Sequence, residues 1–177
     1  GGIVVSRSIR VGGYEMDEAI AHYLRSVHQL AVGSQTAERI KISAGSAVPD
    51  RFEDSIEVRG RHLLTGLPTA IELSSAEVRA AIAPVLGEIL QAIRDTLEET
   101  PPELAADIAR DGILVAGGGT LVRGFDELVA NETGMPVRSA ESPLTCVVYG
   151  SGQALDHLDK LARTNRYRGS ALVGRRS

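Results

Sequence analysis

The sequence has no tryptophan, two phenylalanines and four tyrosines, so aromatic residues are 3% of its 177 positions. Base-stacking platforms that hold single-stranded nucleic acid have little to be built from. A formal net charge of −4 also makes a polyanion an unfavourable principal partner. The single cysteine, Cys146, rules out an intramolecular disulfide and a cysteine metal cluster, a usage that fits a reducing cytosolic compartment. No apolar run approaches the length of a membrane span. No methionine opens the chain, and no charged-then-apolar leader follows Gly1-Gly2-Ile3. Instead the chain enters at once a β-branched run, Ile3–Val11, which is expected to be a strand in need of a neighbour and which reads as the cut edge of something longer.

What is present is ordinary for a globular protein: 43% hydrophobic and 24% charged residues, enough to bury a core in one domain or two small subdomains. After Gly12-Gly13, the spacing of Met16, Ile20, Tyr23, Leu24, Val27 and Leu30 predicts an amphipathic helix from about Tyr14. Gly33 ends it, Ser34 is placed to cap a second helix through Thr36–Lys41, and Gly45 stops that one. Two extended segments, 55–59 and 69–73, are expected to form a small antiparallel β-element. Ser74-Ser75-Ala76-Glu77 has the form of a capping box. It opens a long helix with apolar positions from Val78 to Leu97, carries Pro84 as a potential kink, and ends at Pro101-Pro102. A short helix through Leu104 and Ile108 leads to a buried-type strand, Ile113–Ala116, then Gly117-Gly118-Gly119, then a helix from about Val122 to Asn131. A strand at 135–137 and a final helix from Leu144 to about Ala162 complete the pattern, and the basic tail 163–177 reads as a solvated terminus.

Two constellations carry chemistry. Three glycines between a buried strand and a helix place bare backbone where another body approaches, with helix amides aimed into the gap. A tight turn without any ligand fits the residues equally well. The Walker A lysine and the dinucleotide-binding spacing are both absent. Glu38 and Lys41, three apart on a helix, share a face. Such an acceptor and donor suit a ribose and its nucleoside, but the residues alone favour an i,i+3 surface ion pair. His22, His28, His62 and His157 show no metal-ligand spacing. Cys146, in the apolar strip Thr145–Val148, reads as a small core residue. No paired acids or nucleophile elbow mark a catalyst, so the residues alone describe a binding module.

Taken together, several segments resemble the second half of the MreB family of bacterial actins. They are Gly2–Val11, Glu15–Ile20, Thr36–Lys41, Glu57–Arg61, Thr65–Pro68, Thr100–Ile108 and Ala116–Gly119, and the resemblance runs in order from Gly1 to about Leu158. It implies an α/β fold of the actin/Hsp70 ATPase-like (ribonuclease H-like) kind, of which this chain is the second domain: a mixed sheet flanked by helices, with a small α+β inserted subdomain. The inner subdomain would be 1–12 with 74–162, the outer one 13–73. By the same resemblance Glu38 and Lys41 contact the adenosine of ATP or ADP. Gly117, Gly118 and Gly119 form the adenosine turn, with Thr120 and Leu121 beside them. In that family the two domains clamp ATP and a divalent cation, magnesium, between them, and the phosphate hairpins and the acid that positions water lie in sequence before Gly1. No catalytic residue is therefore expected here, nucleotide binding is expected to be weak or absent, and hydrolysis is not expected. The resemblance further implies self-association or association with full-length MreB-like subunits in filaments, docking of the RodZ membrane partner, and membrane contact only through partners at the inner face of the cell membrane. Other readings of the residues are a ligand-free scaffold and a fragment of another actin-superfamily kinase or chaperone ATPase.

Overall fold

The computed structural model describes residues 2–49 and 54–157. Helix α1, Gly13–Val27, is followed by a short strand β1, Leu30–Ala31, and helix α2, Ser34–Ala44. Strands β2, Ser55–His62, and β3, Pro68–Ser74, pair antiparallel from Ser55 opposite Ser74 to Arg61 opposite Pro68, and β1 adds antiparallel to the other edge of β2. This gives a three-stranded sheet in the order β1-β2-β3. Helix α3, Ser75–Glu98, then α4, Pro102–Asp111, lead to β4, Ile113–Val115. A 3-10 turn, Gly118–Leu121, precedes α5, Phe125–Thr133; β5, Val137–Ser139, pairs parallel with β4, and α6 covers Cys146–Leu155.

The core explains the helix positions. Met16, Ile20 and Leu24 of α1 recur at helical spacing and are buried against Ala37, Ile40 and Ala44 of α2 and against Val78, Ile82, Val85 and Leu86 of α3. Val58 and Leu73 bring the antiparallel sheet into the same cluster, and Val115, Val122, Phe125 and Val129 extend it under β4 and α5. Each of the buried Met, Ile, Leu, Val and Phe side chains contributes roughly 1.5–3 kcal/mol.

The α3 capping box forms as the sequence predicts. The Ser74 hydroxyl accepts the Glu77 amide at 3.3 Å, while Glu77 Oε2 accepts the Ser74 amide at 3.0 Å. The other Glu77 oxygen contacts His28 Nε2 at 2.8 Å and accepts the Tyr23 hydroxyl at 3.3 Å, which ties the carboxyl end of α1 to the amino end of α3. A second tie is ionic. Asp17 of α1 is 9% exposed, on the same side as Ile20 and Leu24, and Lys41 of α2 sets its Nζ 2.8 Å from Asp17 Oδ1 and donates to Gly13 O at 2.9 Å. The ammonium–carboxylate contact is close in distance but lacks the angular geometry of a hydrogen bond.

Several expectations are corrected. Residues 3–11 form no strand: among the described residues this extended run has no ladder partner, and Ile3 and Val4 are exposed. A β-branched composition favours extension but supplies no hydrogen bonds by itself. Leu30 belongs to β1 rather than α1, because Gln29, at φ 53°, turns the chain out of the helix. Ser34 lies inside α2, whose cap is Gly33. The helix after the glycine triplet starts at Phe125 rather than Val122, since Gly124 in the left-handed region resets the chain against Val48. Strand β5 starts at Val137, later than expected, and β4 is buried on one face only, with Leu114 67% exposed. The strip around Cys146 is no core element: Cys146 is half-buried, Val147 and Val148 are exposed, and α6 buries no residue. The end of the expected last helix and the basic tail lie outside the described residues.

Two outcomes are expected. Removing one charge of the Asp17–Lys41 pair leaves the other buried and uncompensated. Asp17→Leu or Lys41→Met alone is expected to lower the urea unfolding free energy by about 3–5 kcal/mol, with most of the loss recovered in the double variant. Additive losses would contradict the pairing. For Glu77, burial pushes the carboxyl up, but the Ser74 amide and hydroxyl together with His28 outweigh it and hold the carboxyl below its ordinary value of 4.5. A lowered folded-state value means that stabilisation is complete above the ordinary value and lost as pH falls below it. Glu77→Gln is therefore expected to destabilise by about 1 kcal/mol at neutral pH. In thermal unfolding across pH the gap from the unsubstituted chain closes below 4.5; a gap that widens in acid would contradict the assignment.

Candidate functional site

Three elements converge near the amino end of α1. The first is that end itself, Gly12-Gly13, where Glu15 Oε2 accepts the Gly12 amide at 2.7 Å. The second is Lys41, carried in from α2 by the buried face of Ala37, Ile40 and Ala44. The third is the glycine turn. A Cβ at Gly119 would stand 3.9 Å from the Gly13 amide nitrogen, and one at Gly13 would stand 3.3 Å from Lys41 Nζ. The turn, the helix end and the ammonium are therefore neighbours, although 28 residues separate Gly13 from Lys41 and Gly119 lies far downstream of both in the chain.

The turn is built from strand geometry and one strained position. Gly117 has φ 102°, a region that side chains disfavour, and its amide donates to Pro143 O at 2.8 Å. Its carbonyl accepts the Thr120 amide at 3.2 Å and the Thr120 hydroxyl at 2.8 Å. Gly118 faces Leu144, where a Cβ would come within 3.2 Å of Cδ2. The main helix, α5, begins only at Phe125, so its amino end does not serve the glycines as the sequence suggests. The donors near the triplet are those of the short 3-10 turn.

Each sequence-predicted site residue has a place in this arrangement. Lys41 is engaged by Asp17 and by Gly13 O rather than by Glu38, so the i,i+3 surface pair does not form. An ammonium carries three N–H groups, so these two partners leave donor capacity toward an adjacent ligand. Glu38, one turn earlier on α2, is exposed and offers an acceptor-only carboxylate to solvent. Thr120 caps its own turn, and Leu121, 54% exposed, presents apolar surface beside it. Asp17 and Gly12-Gly13 escaped the sequence reading. The signal for Asp17 was legible, because an acid three before Ile20 and seven before Leu24 sits on an apolar stripe, where it must be paired.

The local charge decides the ligand chemistry. Glu15 already occupies the amino end of α1, and Asp17 neutralises Lys41. With Glu38 nearby on α2, the site is poor in free positive charge and suits hydroxyls and a neutral heterocycle better than a triphosphate. Among the described residues no group of three or more His, Cys, Asp or Glu side chains is placed to hold a metal ion. Nor is any described helix long and apolar enough to cross a membrane.

Comparison with known proteins gives the arrangement its relatives. Residues 1–163 match the MreB/Mbl protein family. The chain is 42% identical over 163 residues to the cell shape-determining protein Mbl of Bacillus subtilis strain 168, covering 92% of this chain and 49% of that protein. It is 47% identical over 158 residues to the cell shape-determining protein MreB of Escherichia coli K12, covering 89% of this chain and 46% of that one. MreB5 of Spiroplasma citri bound to ADP superposes with a TM-score of 0.86 at 39% identity, over 92% of this chain and 50% of that chain. The MamK double helical filament, at 22% identity and a TM-score of 0.62 over 74% of this chain and 40% of that one, shares the fold. The chain spans about half the length of the curated relatives it matches. On the family match, these identities and the superposition, the chain is a member of the MreB/Mbl family with its actin-like fold.

Proposed function

We propose that this chain is the second, adenosine-binding half of an actin-like filament subunit that serves bacterial cell shape. The observation that carries this reading is the approach of the Gly119 turn to the Gly13–Lys41 contact, beside an exposed Glu38. In this reading Glu38 accepts from ribose hydroxyls, Lys41 donates its remaining hydrogen toward the nucleoside, and bare backbone at Gly117, Gly118 and Gly119 lets the adenine lie close, with Thr120 and Leu121 along its edge. Support from relatives is that MreB5 of Spiroplasma citri has been solved with ADP and with AMPPNP. Residues 1–12 and 74–162 would make the inner subdomain and 13–73 the outer one.

The phosphates and magnesium are held elsewhere in the complete cleft. Positioning and charge stabilisation of the transferring phosphoryl group dominate such hydrolysis, so these residues bind and orient nucleoside without cleaving ATP. The partners in this reading are further subunits of the same kind, with RodZ as a membrane-linked partner. The location is cytoplasmic, near the inner face of the membrane through those partners.

The test is titration of the chain with a fluorescent ATP analogue alongside phosphate release. Weak binding is expected, about tenfold weaker in Glu38→Ala, as for one lost charged hydrogen bond, with the unfolding temperature of that exposed variant unchanged. Phosphate release is expected to stay at the blank. Binding indifferent to Glu38, or turnover that survives further purification, would contradict the reading.

A further inference from the structure

Among the described residues Asp17 is the only buried acid, set on a helix face with Met16, Ile20 and Leu24. Lys41 brings Nζ to 2.8 Å from its Oδ1, with both side chains 12% exposed. Stability alone does not account for this placement. Once both ions are gone, apolar side chains of similar volume hold two helices as well as a buried ion pair does, or better. Met16, Ile20, Ala37 and Ile40 already share one apolar cluster between α1 and α2. What the pair adds is the location of one ammonium.

That location is set from three sides. Asp17 attracts the ammonium, Gly13 O accepts from it at 2.9 Å, and Gly13 leaves room for it, because a Cβ there would stand 3.3 Å from Nζ. Gly13 also lies against the glycine turn, where a Cβ at Gly119 would be 3.9 Å from its amide nitrogen. A lysine otherwise carries a strongly hydrated head on a flexible four-carbon stem, and a single neutral carbonyl is a weak anchor for it. Charge matters as much as place. An unmatched ammonium beside backbone amides at a helix end attracts phosphate. Asp17 cancels that charge, and Glu15 occupies the helix end by accepting the Gly12 amide at 2.7 Å.

We infer that Asp17 is the positioning and specificity residue of the nucleoside site: it holds Lys41 beside the glycine turn and, by cancelling its charge, keeps the site from taking phosphate. The inference rests on the proposed nucleoside reading and adds to it the group that selects between ligand classes. Asp17 is buried and acts through Lys41, with no contact to the ligand itself.

The test compares the whole chain with Asp17→Asn, which keeps the size of the side chain and removes its charge. Adenosine binding is followed by equilibrium dialysis and tripolyphosphate binding by the width of its phosphorus resonances. Asp17→Asn is expected to bind adenosine about tenfold more weakly, the scale of one misplaced charged donor. It is also expected to broaden the tripolyphosphate resonances, which the unsubstituted chain leaves sharp. A merely structural Asp17 would weaken adenosine without creating phosphate binding, and that result would overturn the inference, as would unchanged adenosine affinity. If Asp17→Asn fails to fold by circular dichroism, Asp17→Glu decides. The longer acid keeps the charge but displaces the ammonium, so tripolyphosphate stays excluded while adenosine affinity falls about threefold; adenosine affinity unchanged there, or tripolyphosphate bound, would overturn the inference. Acetylation of Lys41 by acetic anhydride, located by mass spectrometry, reads the hold of Asp17 without any ligand and is expected to be severalfold faster in Asp17→Asn. An unsubstituted chain that takes up no adenosine is a failure of the nucleoside reading. Equal acetylation of Lys41 in both chains is the separate result that overturns the role of Asp17.

Discussion

One buried ion pair joins α1 to α2 beside the glycine turn. Asp17 is set in the apolar stripe of α1, where a carboxylate is unfavourable unless matched, and Lys41 from α2 matches it while also reaching Gly13 O. This adds an ionic contact between two helices that also bury Met16, Ile20, Ala37 and Ile40 in one cluster. It also fixes the amino end of α1, against which the Gly119 turn lies.

The pair also explains the chemical character of the site. Lys41 is half committed before any ligand arrives, and Glu15 has taken the helix end that would otherwise attract a phosphate. What remains is an exposed carboxylate, bare glycine backbone and an exposed leucine, a set suited to a sugar and a heterocycle.

Local sequence was a good guide wherever one rule acted alone. The Ser74–Glu77 box, the antiparallel pair β2–β3 and the helical stripe of α1 were legible because capping, alternation and the 3.6-residue period need no distant partner. The glycine triplet and the Glu38–Lys41 spacing were legible as candidates, yet their meaning turned on Asp17 and Gly13, contacts that spacing cannot report. Three of the misreadings share a cause. Residues 3–11, Leu114 and the Cys146 strip have the composition of paired or buried elements, but pairing and burial belong to neighbours, which the described chain does not supply at those places.

The central claim is that these residues recognise nucleoside rather than phosphate. It is tested most directly by amide chemical-shift mapping of the isotope-labelled chain with adenosine and, separately, with tripolyphosphate. Adenosine is predicted to move the amides of Glu38, Lys41 and Gly117 to Leu121, and tripolyphosphate to leave them in place. Shifts at those amides with tripolyphosphate alone, or none with adenosine at millimolar concentration, would contradict the account.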